Sequence, residues 1–148
     1  MRIVSTSIHI DASPAQVWDI LTDVDRYHEW NPFYFTARGT PAEGGQITLH
    51  TRLFTKASFI LKVRPVIEVC TENKVLRWFG GLPVPKLVDG RHSFELTPVD
   101  HGVELRHYEV FTGTMVPLAA WWVRGLHARY DELNNALKTR AEAQCAER

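Results

Sequence analysis

Apolar and polar residues alternate with a period of two through most of the first 112 positions, and beyond Pro117 the period lengthens. Leu118, Trp121 and Trp122, Leu126, Tyr130, Leu133 and Leu137 then recur at helical spacing. Arg129, Asp131, Glu132 and Lys138 fall largely on the opposite side, which predicts an amphipathic helix over Pro117–Ala143. Pro117 suits a first helical turn, where its missing N–H is no loss. At 1.5 Å per residue that helix is about 40 Å long, and strands of roughly eight to eleven residues span about 27–36 Å. One long helix and one antiparallel sheet of matching dimension imply a sheet wrapped around the helix.

The alternation predicts seven strands: 3–10, 33–38, 46–53, 59–69, 75–79, 87–97 and 103–112. Ile47, Leu49, Thr51 and Leu53 share one face of the third. Phe59, Leu61, Val63, Pro65, Ile67 and Val69 share one face of the fourth. Pro65 has no N–H for the ladder and marks an edge, a bend or a bulge there. Two short helices are expected between the first two strands. Ser13 is the N-cap of the first, Pro14 its first residue, and Gln16 completes a capping box. Val17, Trp18 and Leu21 form its apolar face, and it ends near Asp23. A second helical turn, Asp25–Glu29, is broken at Asn31-Pro32, because a residue before proline avoids helical geometry. Within the long helix Gly125 costs up to about 1 kcal/mol against alanine, which suggests a close approach of sheet or side chain, or a bend.

The last two strands carry the informative chemistry. His92, Phe94 and Leu96 share one face of the first, and Val103, Leu105, His107, Glu109 and Phe111 one face of the second. Their apolar members mark both faces as buried. A four-residue loop, Val99–Gly102 with the glycine left-handed in last place, keeps both faces on one side. It pairs Leu96 with Leu105, Phe94 with His107, and His92 with Glu109. Two histidines and a carboxylate thus project into an apolar interior, where polar groups are costly unless paired. Four roles fit them: a structural pair anchoring the hairpin, a polar patch orienting a ligand, acid–base catalysis, or a two-histidine, one-carboxylate metal site. Ordinary hairpin packing explains the spacing without a metal, so none is expected.

Length fits one domain, 1–148. Seventeen basic and seventeen acidic residues cancel, which argues against a nucleic-acid surface, since that needs a basic stripe. No signal-peptide pattern follows Met1, and no apolar run approaches the roughly eighteen residues of a membrane helix, so a cytoplasmic location is expected. Cys70 and Cys145 have no metal-ligand spacing and are expected as unpaired thiols. No cofactor motif is found: Gly80-Gly81 lacks the lysine and helix of a phosphate loop. Five Trp, four Tyr and seven Phe are a heavy aromatic load, suited to packing or to an apolar ligand surface.

In order along the chain stand Ser13-Pro14, Val17-Trp18, Leu21, Asp23 and Asp25-x-Tyr27-x-x-Trp30-Asn31-Pro32-Phe33. Later come Leu76-Arg-Trp78, Asp89-Gly-x-His92-x-Phe94-x-Leu96-x-Pro98, His107-x-Glu109-x-Phe111-x-Gly113 and Ala136-Leu137-Lys138. Through these residues the chain resembles the START-like (SRPBCC) superfamily, and within it the small bacterial polyketide cyclase/dehydrase-like proteins. The resemblance implies an α+β helix-grip fold, a curved seven-stranded antiparallel sheet around the C-terminal helix, enclosing a hydrophobic cavity. It also implies a ligand such as a lipid, polyketide or quinone.

The expected function is therefore binding of an apolar or amphipathic small molecule by a monomer or homodimer. Leu49, Thr51, Leu61, Val63, Trp78, Phe94, Phe111, Leu118, Trp121 and Trp122 would line the pocket. His92, His107 and Glu109 would supply its few polar contacts. The mouth is expected near Gly80–Lys86 and Tyr27–Trp30. One rival is a cofactor-free cyclase, aromatase or dehydratase with His107 or Glu109 as acid–base group. Another is a protein-interaction module whose cavity is filled by its own tryptophans, which a volume well below roughly 300 Å³ would favour.

Overall fold

Ser13 begins the first helix as its neighbours dictate. Its hydroxyl accepts the Gln16 N–H, and the Gln16 side chain accepts the Ser13 N–H, so the capping box closes both ways. The computed structural model describes residues 1–52, 59–81, 84 and 86–146, without the side chains of 145 and 146. Among these, eight strands and three helices follow in the order β1 (Arg2–Ile10), α1 (Pro14–Thr22), a 3-10 helix (Val24–Glu29), β2 (Tyr34–Arg38), β3 (Thr48–Arg52), β4 (Ile60–Val63), β5 (Val66–Thr71), β6 (Val75–Gly81), β7 (Asp89–Val99), β8 (Gly102–Thr112) and α2 (Ala120–Ala146). Five strands form one antiparallel sheet in the order β1-β8-β7-β6-β5, and three form another, β2-β3-β4. Leu53, expected on the inner face of β3, lies outside the described residues.

The seven expected strands become eight because Pro65 divides the fourth. Leu49 pairs with Val63 on the β4 side, and Gln46 bridges Val66 on the β5 side in unbroken register. Pro65 still accepts the Ile47 N–H at 3.2 Å but has none to give. Past it the chain takes β6 as partner, Ile67 opposite Trp78. The sheet turns its corner where the ladder loses a donor, and that corner produces the wrap.

α2 starts three residues later than Pro117. Val116 N–H closes a turn onto Gly113, Ala119 N–H onto Met115, and the regular ladder begins with Val123 to Ala119. Its buried side is Val123, Leu126, Tyr130, Leu133, Asn134, Leu137 and Ala141. These pack into one core with Val4, Leu49, Ile67, Leu76, Phe94 and Leu105 from the sheets. Farther along α2, Lys138 Nζ donates to the His9 carbonyl at 2.8 Å and Glu142 accepts the Asp11 N–H at 2.9 Å, tying the helix to the end of β1. Gly125 faces open space, so no close approach explains it. Among the described residues no helix is long and apolar enough to cross a membrane. Cys70 is unpaired, and the Cys145 side chain lies outside the description.

Candidate functional site

The β7–β8 hairpin has the register that alternation predicted: Leu96 opposite Leu105, Phe94 opposite His107, His92 opposite Glu109. Its connection is shorter than the four-residue loop expected: Val99 and Gly102 pair within the strands and leave a two-residue turn, Asp100-His101, where His101 at φ 63° shares the left-handed work with Gly102. His92 and His107 have no exposed surface. Glu109 is nearly buried and reaches a cavity of about 260 Å³ between the sheets and α2.

Hydrogen bonds run from β1 to that cavity. Asn134 Nδ2 donates to Thr6 Oγ1 at 2.6 Å, and Asn134 Oδ1 faces His107 Nδ1 at 2.7 Å. His107 Nε2 lies 2.7 Å from His92 Nε2, and His92 Nδ1 lies 3.1 Å from Glu109 Oε2. The Tyr130 hydroxyl donates to the same Oε2, and the Tyr34 hydroxyl is 3.4 Å from His92 Nδ1. Aromatic faces seal the rings. Trp78 stacks on His92 at 4.9 Å, and Phe94 and Tyr130 stack on His107 at 4.4 and 4.5 Å. No buried side-chain nitrogen or oxygen among the described residues lacks a hydrogen bond.

This geometry counts protons. Burial, and secondly the neighbouring His92, hold the His107 pKa well below its ordinary 6.5, against the opposing bond from Asn134, so His107 is neutral. A neutral imidazole has one donor and one acceptor. The Asn134 amide, its nitrogen committed to Thr6, presents its oxygen, so His107 donates from Nδ1 and accepts at Nε2 from His92 Nε2–H. His92 Nδ1 and Glu109 Oε2 can then bond only with one proton between them, as imidazolium and carboxylate or as imidazole and carboxylic acid. Burial first, then the charge of Glu109, pushes the Tyr34 and Tyr130 phenols well above their ordinary range; both remain protonated donors.

Local sequence explains the placement. Asn31 Oδ1 accepts the N–H groups of Phe33 and Tyr34 at 2.9 and 2.8 Å, a turn that feeds β2 with both rings directed inward. Thr51 Oγ1 holds the Phe33 carbonyl at 2.7 Å. Tyr130 and Asn134 stand one helical turn apart, so both meet the hairpin.

Of the residues expected at a pocket, Thr51, Leu61, Val63, Trp78, Phe111, Trp121, Trp122 and Glu109 line the cavity. Leu49 and Phe94 lie behind it in the closed core, and His92 and His107 are sealed beneath its wall. Leu118 is 71% exposed, because it precedes α2 in the turn segment instead of lying on the helix face. Trp121 is 63% exposed at the rim, with Val123 taking the buried helical position. Tyr27 is buried with its hydroxyl on the Leu21 carbonyl, and neither it nor Trp30 is on the wall, which corrects the mouth expected there. Gly80 and Gly81 do line the cavity, while 82, 83 and 85 lie outside the described residues. Sequence reasoning missed Phe33, Tyr34, Leu126, Arg129 and Tyr130 on the wall and Asn134 beneath it. Asn134 had a signal, a lone amide inside the apolar stripe of α2. Among the described residues no cluster of His, Cys, Asp or Glu is arranged to hold a metal ion.

A family model described as polyketide cyclase / dehydrase and lipid transport matches residues 1–142. The chain belongs to that family. No curated protein matches it in sequence. Among solved structures it is similar to the Zhui aromatase/cyclase of a Streptomyces species, at TM-score 0.77 and 16% identity over 97% of this chain and 95% of that one. A START superfamily protein from Mycobacterium smegmatis superposes at TM-score 0.74 with 16% identity, over 96% and 98%. The di-domain aromatase/cyclase StfQ of the steffimycin pathway gives TM-score 0.78 and 16% identity, over 97% of this chain and 51% of that one. At such identities the likeness is one of fold. This polyketide cyclase-like member shares with START proteins the α+β architecture of a curved antiparallel sheet against a C-terminal helix.

Proposed function

We propose that the protein binds a small hydrophobic or amphipathic molecule in the cavity between the sheets and α2. The observation that carries this is a single carboxylate, Glu109, set into an otherwise largely apolar wall and held by His92 and Tyr130. Trp78, Phe111 and Trp122 would meet the apolar body, with Thr51, Leu61 and Val63 along its flank. Glu109 would meet a ligand hydroxyl or carbonyl. His92 and His107 would act through Glu109, Leu49 and Phe94 as backing, and Trp121 at the rim. The volume lies just under the roughly 300–1,000 Å³ usual for ligand sites. Trp121 turns outward instead of filling it, which speaks against the filled-cavity reading. The family description, which joins polyketide cyclases with lipid transport, supports the same reading.

A second reading, acid–base chemistry of the cyclase or dehydratase kind, is favoured by the proton that His92 and Glu109 share. Glu109 could give that proton to a ligand oxygen, or take one from carbon, while His92 adjusts behind it. His107 would not touch the substrate.

Calorimetric titration with flat apolar ketones and quinones, beside native mass spectrometry of freshly purified protein, tests the proposal. Wild type is expected to bind at least one class or to carry one from the cell. Val63→Phe, which fills the cavity, is expected to abolish binding while remaining folded. Absence of both a co-purified ligand and any binding would hand first place to the interaction-module reading. A bound polyketone recovered cyclised, or short of one water, would establish the second reading.

A further inference from the structure

We infer that the cavity is built for an acidic ligand, with Arg129 as the anchor for a carboxylate at one end of the apolar body. This rests on the cavity-binding reading above and adds the ligand's charge to it. Arg129 lines the cavity from α2, half-buried, on the turn that carries Tyr130. Its guanidinium lies 4.3 Å over the Phe33 ring, and one N–H goes to the Arg52 carbonyl at 2.9 Å. Those two contacts fix the plane of the fork and leave most of its five N–H donors uncommitted among the described residues.

What it lacks is a counter-ion. Arg26, Arg77, Arg91, Arg106, Lys138 and Arg140 each have a carboxylate within ion-pair distance, and Arg129 has none among the described residues. Residues 53–58, which follow its backbone partner Arg52, contain no acidic side chain. Burial lowers the Arg129 pKa from its ordinary value, outweighing the opposing influence of Tyr130, Tyr34 and, least, Glu132 one turn along α2. Glu109 does not neutralise it either, since its bonds go to His92 and Tyr130. Both Tyr34 and Tyr130 feel the charge of Glu109 in one direction and that of Arg129 in the other, and all four side chains line the same cavity. A half-desolvated cation without a counter-ion is costly, and a planar carboxylate is the group its fork matches, through two parallel charge-assisted bonds. A neutral ketone could accept one N–H from that fork but would leave its charge unmet.

The test compares 2-naphthoate, its methyl ester and 2-naphthalenemethanol at neutral pH, on wild type and on Arg129→Met and Arg129→Gln. Wild type is expected to prefer the carboxylate over the alcohol by about tenfold or more. Both variants are expected to lose that preference while keeping their affinity for the alcohol. Equal affinities in wild type, or a preference that survives in both variants, would overturn the inference and leave the cavity reading standing. If none of the three binds wild type, the cavity reading falls and the inference with it.

Discussion

Glu109 sits at the end of a line of side chains in which each partner decides what the next must offer. Thr6 orients the Asn134 amide, Asn134 fixes the His107 tautomer, and His107 leaves His92 a single way to face the carboxylate. Truncating Glu109 would leave His92 Nδ1 and the Tyr130 hydroxyl without the partner they share, in a largely desolvated place. Glu109→Ala is therefore expected to lower the unfolding free energy by about 1–3 kcal/mol, and Glu109→Gln, which keeps shape and an acceptor, by clearly less; urea denaturation of the two variants measures the difference. Equal losses would mean that packing, not hydrogen bonding, sets the cost. Half of this cluster was legible in the sequence. Strand alternation and the turn length fix the register, and the register alone puts His92 across from Glu109. The helix contributes Arg129, Tyr130 and Asn134, and its roll about its own axis relative to the hairpin is set by packing. Periodicity names a buried face without saying which strand residue each helical position will meet.

At the level of elements, prolines mark where the reading needed correction. Pro65 was legible as a bend, but that it would divide the wall into two sheets depended on β3 and β6 competing for the same strand on either side of it. Pro117 looked like a helix start. The turns closed by Gly113 and Met115 delay the ladder to Ala119, which carries Leu118 away from the wall. Gly125 lies in the second turn of α2 with open space where a Cβ would stand and an ordinary helical backbone. Gly125→Ala is thus expected to stabilise the protein by about 0.5–1 kcal/mol, seen as a higher thermal midpoint. A lower midpoint would show that the helix needs its glycine for bending.

Across the whole molecule, the buried neutral His107 makes stability depend on pH. The unfolded chain takes up a proton at this residue near pH 6.5, and the folded protein refuses it until well below that value. Above pH 6.5 the group contributes nothing. Below it the unfolded state binds more protons, so stability falls by up to about 1.4 kcal/mol per pH unit. Urea midpoints at pH 7.5, 6.5 and 5.5 should drop in that window, and His107→Gln should flatten the drop. The surface carboxylates act later. Bonds from Arg26 and Arg140 hold Glu29 at about 2, and Arg91 lowers Glu68 from the ordinary 4.5, so their loss begins only below that range.

Gly90 lies across the hairpin from Phe111, and a Cβ there would stand where Glu109 Oε1 does. Its backbone is not in the left-handed region, so the obstacle to alanine is the carboxylate itself, the movable end of a flexible side chain. One added methyl would evict the acid from its seat and leave the scaffold upright. In a survey of variants scored only for loss of function, this position would pass for a hinge or a folding defect. It would in fact be a second locus of the Glu109 phenotype, written in a residue with no chemistry of its own.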